Sequence, residues 1–425
     1  MTAPAPMPGR IDHVAVAVLG LVTIAAYGSW YYAFGVLFDP ILAATGWRES
    51  TVAASFSVGI VVNGFASMAG GRLLDRLGSR AVFLIGGLGG GAALALTSLA
   101  PGPLVFALTS AVAMGLLGGF GFYHVTMTCA VRLNPERSAR AIAVLTIWGA
   151  FASAIYLPAT AALVDRYDWR PTIRVLAAVV AAVFVLAAVV LRPVRPEPGD
   201  APPASMRRIL ARTVDRPDRR AFTLALALGW IAMSTILVYQ VPVMTAAGLP
   251  LATAATIAGL RGFSQTAGRI PLGPIVDRLG SARSMSLALG AIAVGGVVLA
   301  FAGQIAPAVA FALLAGFGIG AMSPLQGIVV EELFDRDTLG ATMGSYNLIG
   351  MGGGALGPAL AGVLADSSGS RRLVTGIIVV CALAAAVLAL RIGTVGPSAG
   401  SPDRADGGHA GESGEGGDAR RSPSE

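Results

Sequence analysis

Residues 70–82 read GGRLLDRLGSRAV, and residues 273–283 read GPIVDRLGSAR. Their shared core, DRLGS, runs from Asp75 to Ser79 and again from Asp277 to Ser281, 202 residues further along a chain of 425. Each copy follows a long apolar stretch rich in Gly and Ala and leads into another. An offset close to half the chain, in a matching context, points to duplication of one half into two. Among polytopic membrane proteins, such internal repeats mark carriers whose site lies between the halves near the bilayer midplane.

The composition agrees with a membrane setting. Hydrophobic residues make up 55% of the chain and charged residues 12%, against about 25% charged in a soluble protein. Several apolar runs reach the roughly 20 residues that cross a bilayer as helix. The length alone predicts two or three soluble domains, and the hydropathy overrides it. The polar start, Met1 to His13, carries one Arg and leads into a full-length span, so no cleavable signal peptide is expected. All 30 basic residues are Arg, which we read as coding bias and an expected bacterial source. A net charge of +7 suits nucleic acid in principle. The Arg positions follow membrane topology instead, so lipid and not nucleic acid is the expected surroundings. Cys129 and Cys381 both sit in apolar runs and read as small buried residues, neither a disulfide nor a metal pair.

Twelve apolar segments are predicted as spans, at 14–38, 50–73, 81–100, 103–128, 141–164, 172–191, 221–247, 251–276, 284–303, 306–330, 340–365 and 372–391. With the N-terminus inside, 22 Arg fall in cytoplasmic segments and 6 in outer loops, while Arg261 and Arg269 fall within the eighth span. That asymmetry predicts a multi-pass protein of the cell membrane with both termini cytoplasmic. The expected fold is an all-α membrane protein, twelve transmembrane helices in two pseudo-symmetric six-helix bundles. The expected divisions are a cytoplasmic N-terminus (1–13), a first bundle (14–191), a cytoplasmic linker (192–220), a second bundle (221–391) and a disordered tail (392–425). The linker opens PVRPEPGDAPP and turns basic. It reads either as a plain solvated connector or as one with a short amphipathic piece against the anionic inner leaflet.

In the first repeat, Gly71 and Gly78 permit a tight turn and close helix contact. Asp75 can accept from helix-end amides or an Arg, while Arg76 and Arg80 hold the cytoplasmic face. The pattern G-x-x-x-D-R-x-G-x-R resembles the signature of the major facilitator superfamily, with Asp277, Arg278 and Gly280 as its half-chain partners. The resemblance implies a latch on the outward-open state, made and broken during transport. A narrower resemblance is to the monocarboxylate transporters and oxalate/formate antiporters. It rests on YAFGVLFDPILAATGWRESTVAASFS (32–57), RSARAIAVLTIWGA (137–150), YDWRPTIR (167–174), EELF (331–334) and LGPALAGVLAD (356–366). Their shared order covers most of the twelve-helix body.

The eighth segment, LRGFSQTAGRIPLG, places Arg261, Gln265 and Arg269 at a spacing of four. Eight residues at about 100° each leave Arg269 about 80° from Arg261, so the three share one polar stripe. An ionisable group within a span is costly and faces a cavity or a partner. The Arg fork suits a carboxylate, giving two parallel charge-assisted bonds. The resemblance implies that Arg269, in the matching position, binds a substrate carboxylate; the bland alternative pairs it with Asp277 or the inner-face network. The chain departs from those families at Tyr32 and Gly350, where they carry Lys, and at Gln265, where they carry Asp. No carboxylate falls at mid-span. Proton-coupling candidates are therefore His124, in the fourth span, and Glu331, beside Glu332 at the inner end of the tenth. A lone His on an apolar helix is more often a packing residue. Tyr27, Trp30, Tyr31 and Tyr32 crowd the first span, and some should line the cavity. Tyr239 and Asn347 are further binding candidates, with Asn63, Trp148, Tyr156, Gln240, Gln326 and Tyr346 divided between cavity and packing.

The leading expectation is a monomeric secondary transporter of small organic anions, mono- or dicarboxylates, working by alternating access. The alternative is efflux of amphipathic drugs or secreted metabolites. Drug antiporters carry G-x-x-x-G-P-x-x-G-G in the fifth span, whereas this chain reads GAFASAIYLPATAALVD there. A non-transporting sensor needs an output domain that the tail does not offer. No nucleophile elbow, metal-spaced His/Cys cluster or phosphate loop supports an enzyme, so no catalytic residue, metal or cofactor is expected. GGLGGG (86–91) lies within a span and reads as helix packing.

Overall fold

A hydrocarbon layer offers no water to backbone amides, so an apolar chain must satisfy them in helices or a closed barrel. The computed structural model describes residues 11–194, 211–334 and 339–393, and every regular element among them is helical. Ten stretches are long and apolar enough to cross a membrane. One of them, Glu49–Thr97, has 49 residues, which is roughly 74 Å if straight, more than twice a hydrocarbon core. It folds back at Gly78, which takes φ 79° and ψ 173°. The stretch is therefore two crossings, 49–77 and 79–97. The twelfth crossing is Leu251–Arg269, made less apolar by Arg261, Gln265 and Arg269.

We number the crossings α1 His13–Thr45, α2 49–77, α3 79–97, α4 Pro103–Leu133, α5 Pro135–Tyr167, α6 Trp169–Val190 and α7 Pro217–Ala246. The series continues with α8 Leu251–Arg269, α9 Ser281–Leu299, α10 Ile305–Leu333, α11 Leu339–Ser368 and α12 Arg371–Ala389. All twelve predicted spans have a counterpart. Several helices outrun their apolar segment: α1 continues to Thr45 where 38 was expected, and stops only at Gly46, a left-handed cap with φ 68°. Hydropathy marks where the oil ends, whereas a cap decides where the helix does. Residues 1–10, 195–210 and 394–425 lie outside the described residues, and with them most of the expected linker and tail.

Duplication is written into the backbone. The described residues with positive φ are Gly46, Gly78 and Asp168 in the first half and Gly248, Gly280 and Gly369 in the second. They form three pairs, each 201 or 202 residues apart. Pro40 in α1 and Pro242 in α7 share that offset. So do Phe122, where α4 breaks into extended backbone, and Pro324 in α10. Packing repeats likewise: α1 on α5, α2 on α4 and α3 on α6 recur as α7 on α11, α8 on α10 and α9 on α12. The halves meet along α2 with α11, α5 with α8, and α1 with α7. Phe65, Leu104, Val189, Phe301 and Val380 are more than half exposed on the outer surface. Apolar exposure on that scale is stable against lipid tails, not water.

At the repeat, Asp75 accepts from Arg132 Nη2 at 2.6 Å. Ser79 Oγ accepts from Val194 N at 3.0 Å, tying the start of the linker to this turn. Ser281, the half-chain partner of Ser79, instead donates to Glu332. Arg76, Arg80, Asp277 and Arg278 are exposed. The close helix contact expected at Gly71 lies one residue earlier. A Cβ on Gly70 would stand 1.9 Å from the Gly119 carbonyl oxygen, whereas one on Gly71 would meet nothing within 4 Å. One position along a helix is about 100°, enough to turn a residue away from its neighbour.

Candidate functional site

Two local departures from α-helix build one wall of a central cavity. Between Tyr27 and Tyr32, α1 widens into a π-helical turn, a device common at functional positions. It brings Tyr27, Tyr31 and Tyr32 together on the cavity side. The break in α4 presents Phe122, which stacks on Tyr27 with centroids 3.7 Å apart and rings 3° from parallel. Tyr31 meets Phe122 edge-on, and Tyr123 completes the wall. Trp30, grouped with these by sequence, faces the other way and is buried against Phe34 and Phe106.

The opposite wall comes from the second half. Arg261, Gln265 and Arg269 of α8 all line the cavity, as the polar stripe predicted. Trp230 and Met233 of α7, Met322 and Gln326 of α10, and Met343, Asn347 and Met351 of α11 join them. The cavity volume is about 620 Å³.

Arg261 is 3% exposed and donates from Nε to Gln240 Oε1 at 3.0 Å. Its Nη2 is buried without a hydrogen-bond partner among the described residues. Arg269 is half-buried; its Nε donates to the Gly320 carbonyl at 3.3 Å, and its charge lies near the Tyr123 hydroxyl. Tyr32, at the position where the resembling families carry Lys, stands within electrostatic reach of both guanidinium groups. Among the described residues no carboxylate pairs with either Arg, and neither Asp nor Glu lines the cavity. The alternative pairing of Arg269 with Asp277 is therefore not made.

Other candidates divide. His124 lines the cavity, with Nε2 3.0 Å from the Gly119 carbonyl oxygen. Glu331 lies outside the lining, because α10 carries it past the cavity to an exposed end. Tyr239 is also outside: it is fully buried with its ring on Phe38, centroids 5.1 Å apart. It lies only two residues beyond Leu237, which lines the cavity, but two residues turn it about 200° around α7 to the face that Phe38 of α1 covers. Among the described residues, no group of three His, Cys, Asp or Glu could hold a metal ion.

The two faces of the molecule differ. Opposite the DRLGS turns, Arg371 of α12 reaches Asp39 of α1 and Glu49 of α2, both at 2.8 Å, and Arg48 reaches Asp366 of α11 at 3.4 Å. The Asp366 carboxylate also accepts from Glu49 N and Ser50 N, both at 3.1 Å, capping α2 from the other half. Thr245 donates to Asp39 at 2.7 Å. Below this clamp α1 and α7 touch through Gly35, where a Cβ would come 2.8 Å from the Leu237 carbonyl oxygen. Toward the DRLGS face, the lining residues Ser323, Gly344 and Asn347 are exposed. The cavity is thus sealed on one side and open on the other.

The sequence profile of the Major Facilitator Superfamily matches residues 19–305 and 221–423. The chain belongs to that superfamily. Monocarboxylate transporter 13 of Rattus norvegicus is 26% identical over 342 residues, covering 79% of this chain and 78% of that protein. Monocarboxylate transporter 11 of Homo sapiens is 28% identical over 356 residues, covering 78% and 71%. Among solved structures, a single-residue variant of the nucleoside transporter NupG aligns with a TM-score of 0.77 at 15% identity, covering 89% of this chain and 98% of the other. A POT family transporter in complex with 5-aminolevulinic acid aligns at 0.69 and 15% identity, covering 89% and 95%. The chain is thus a multi-pass major facilitator transporter, similar to the monocarboxylate transporters; the solved structures speak for its fold.

In this facilitator, Tyr123, Phe122, Trp230 and the four methionines of the second wall are lining residues that the sequence does not single out. The aromatics around the α4 break adjoin His124 in the string FGFYHV (120–125), but a broken helix leaves no mark in an apolar run. The far-face clamp was also missed, since its residues are ordinary loop charges until the fold brings residues 39, 49 and 371 together.

Proposed function

We propose that the protein is a secondary active carrier of small organic anions, with the helix-α8 Arg residues neutralising the cargo. The observation that carries this reading is the charge of the cavity: among the described residues, two guanidinium groups line it and no carboxylate does. A cationic drug meets repulsion there, whereas a carboxylate meets paired donors. Homology to monocarboxylate transporters supports the same class.

The working cycle is alternating access, each chain acting as a monomer around its own cavity. The Arg asymmetry supports a DRLGS face and both termini in the cytoplasm. On that reading the described conformation is inward-open: the outer clamp is closed, and Asp75 is paired within its own half with Arg132. This arrangement suits a latch that engages across the halves only when the inner face shuts. A bulkier amphipathic acid remains a second candidate cargo, favoured by the apolar wall of Trp230, Met233, Met322, Met343 and Met351.

The test is counterflow in proteoliposomes with labelled carboxylates, with and without a pH gradient, beside direct binding to purified protein. Arg269→Ala is expected to lose anion binding. Unchanged uptake in that variant, or exchange of cationic drugs alone, refutes the reading.

A further inference from the structure

We propose that Arg261, which lines the cavity and is held from behind by the buried Gln240, is a second anion subsite toward the sealed end, and that the cargo is an organic dianion. One end of it is held there and the other by Arg269. This inference rests on the anion-carrier reading and narrows it.

The argument starts from what Arg261 lacks. Gln240 is fully buried and Arg261 nearly so. Arg is a donor only, so the bond from its Nε fixes the glutamine with Oε1 toward it and Nε2 away. Gln240 Nε2 and Arg261 Nη2 are then both buried without a hydrogen-bond partner among the described residues. Both unmet groups are donors, so the complementary group is an acceptor, and the guanidinium charge makes that acceptor anionic. A structural Arg looks different in the same molecule: Arg371 is forked between two carboxylates. Among the described residues, the ionisable side chains acting on Arg261 are Tyr32 and Tyr31, neither of which supplies a counter-charge at neutral pH.

The second step concerns spacing. Arg261 and Arg269 are eight residues apart on α8, roughly 12 Å along its axis. Their Nε atoms are anchored on different helices, Gln240 of α7 and Gly320 of α10, so the guanidinium groups stay apart. Tyr32 is within electrostatic reach of both. A monoanion therefore satisfies one Arg and leaves the other uncompensated when the cavity closes and water leaves. An unpaired buried charge is strongly unfavourable. Charge-assisted bonds of about 2.8 Å at each end leave roughly 6 Å between the anionic groups, about the reach of a four- to six-carbon diacid.

The experiment is counterflow in proteoliposomes against a ladder of labelled α,ω-dicarboxylates and monocarboxylates of matched length. Wild type is expected to exchange four- to six-carbon diacids about tenfold better than their monoacid counterparts. Gln240→Glu keeps the side-chain volume and supplies Arg261 with its own counter-charge, so it is expected to reverse that preference. Arg261→Gln is expected to bring the diacid-to-monoacid ratio close to one. The inference is overturned if wild type prefers monoacids at every length, or if Gln240→Glu and Arg261→Gln both keep the wild-type ratio. Exchange of monoacids alone overturns the dianion and leaves the anion carrier standing; exchange of no carboxylate overturns both.

Discussion

Removing the side chain of Arg371 should unlock the face opposite the DRLGS turns. This residue makes two of the ion-pair contacts that join the halves there, to Asp39 and Glu49, and also donates to the Pro242 carbonyl at 3.3 Å. The three charged side chains are 19%, 27% and 21% exposed. They lie between a solvated surface pair, worth about 0–1 kcal/mol, and a buried one, whose rupture costs about 3–5 kcal/mol. Arg371→Ala also leaves two carboxylates facing each other. A shift of about 2 kcal/mol toward separation of the halves follows, about thirtyfold in the ratio of open to sealed far face. Spin labels at Asp165→Cys and Ser367→Cys, in a background lacking Cys129 and Cys381, report this ratio as a distance distribution. Arg371→Lys, which keeps the charge but loses the fork, should fall between wild type and Ala. An unchanged distribution in Arg371→Ala, or a shift to shorter distances, refutes the assignment of this cluster as the clamp.

Further outcomes can be checked more simply. Gly78→Ala and Gly280→Ala should each cost about 1–3 kcal/mol, because φ near 80° with an extended ψ is open to Gly almost alone; a fall in the melting temperature of both purified variants checks this. Gly70→Leu should fail to give monodisperse protein, since its Cβ falls on the Gly119 carbonyl, while Gly71→Leu should behave as wild type on gel filtration. Asp75→Asn should slow exchange without weakening cargo binding, because it loosens Arg132 at the turn and touches no lining residue. His124 should make anion exchange rise as pH falls through the imidazole range, its proton adding a positive charge to the cavity wall; His124→Gln should flatten the profile between pH 5 and 8, and a retained slope removes the histidine from coupling.

Much of this molecule was legible before any coordinates. Twelve apolar runs, the repeat 202 residues apart and the in-span Arg pair follow from hydropathy and spacing, which are local properties of the chain. Lipid enforces them, since a span that is too short or carries an unsatisfied amide is not tolerated. The period of the helix also placed Arg261, Gln265 and Arg269 on one face, and that face lines the cavity. Tertiary packing decided the rest. It buried Tyr239 against Phe38 while Tyr31 and Tyr32 stayed in the cavity, and moved the close contact from Gly71 to Gly70. It gave Arg261 a glutamine in place of a carboxylate, and joined residues 39, 49 and 371 into a clamp. A sequence states which groups share a helix face; which neighbour meets that face depends on how helices hundreds of residues apart are laid together.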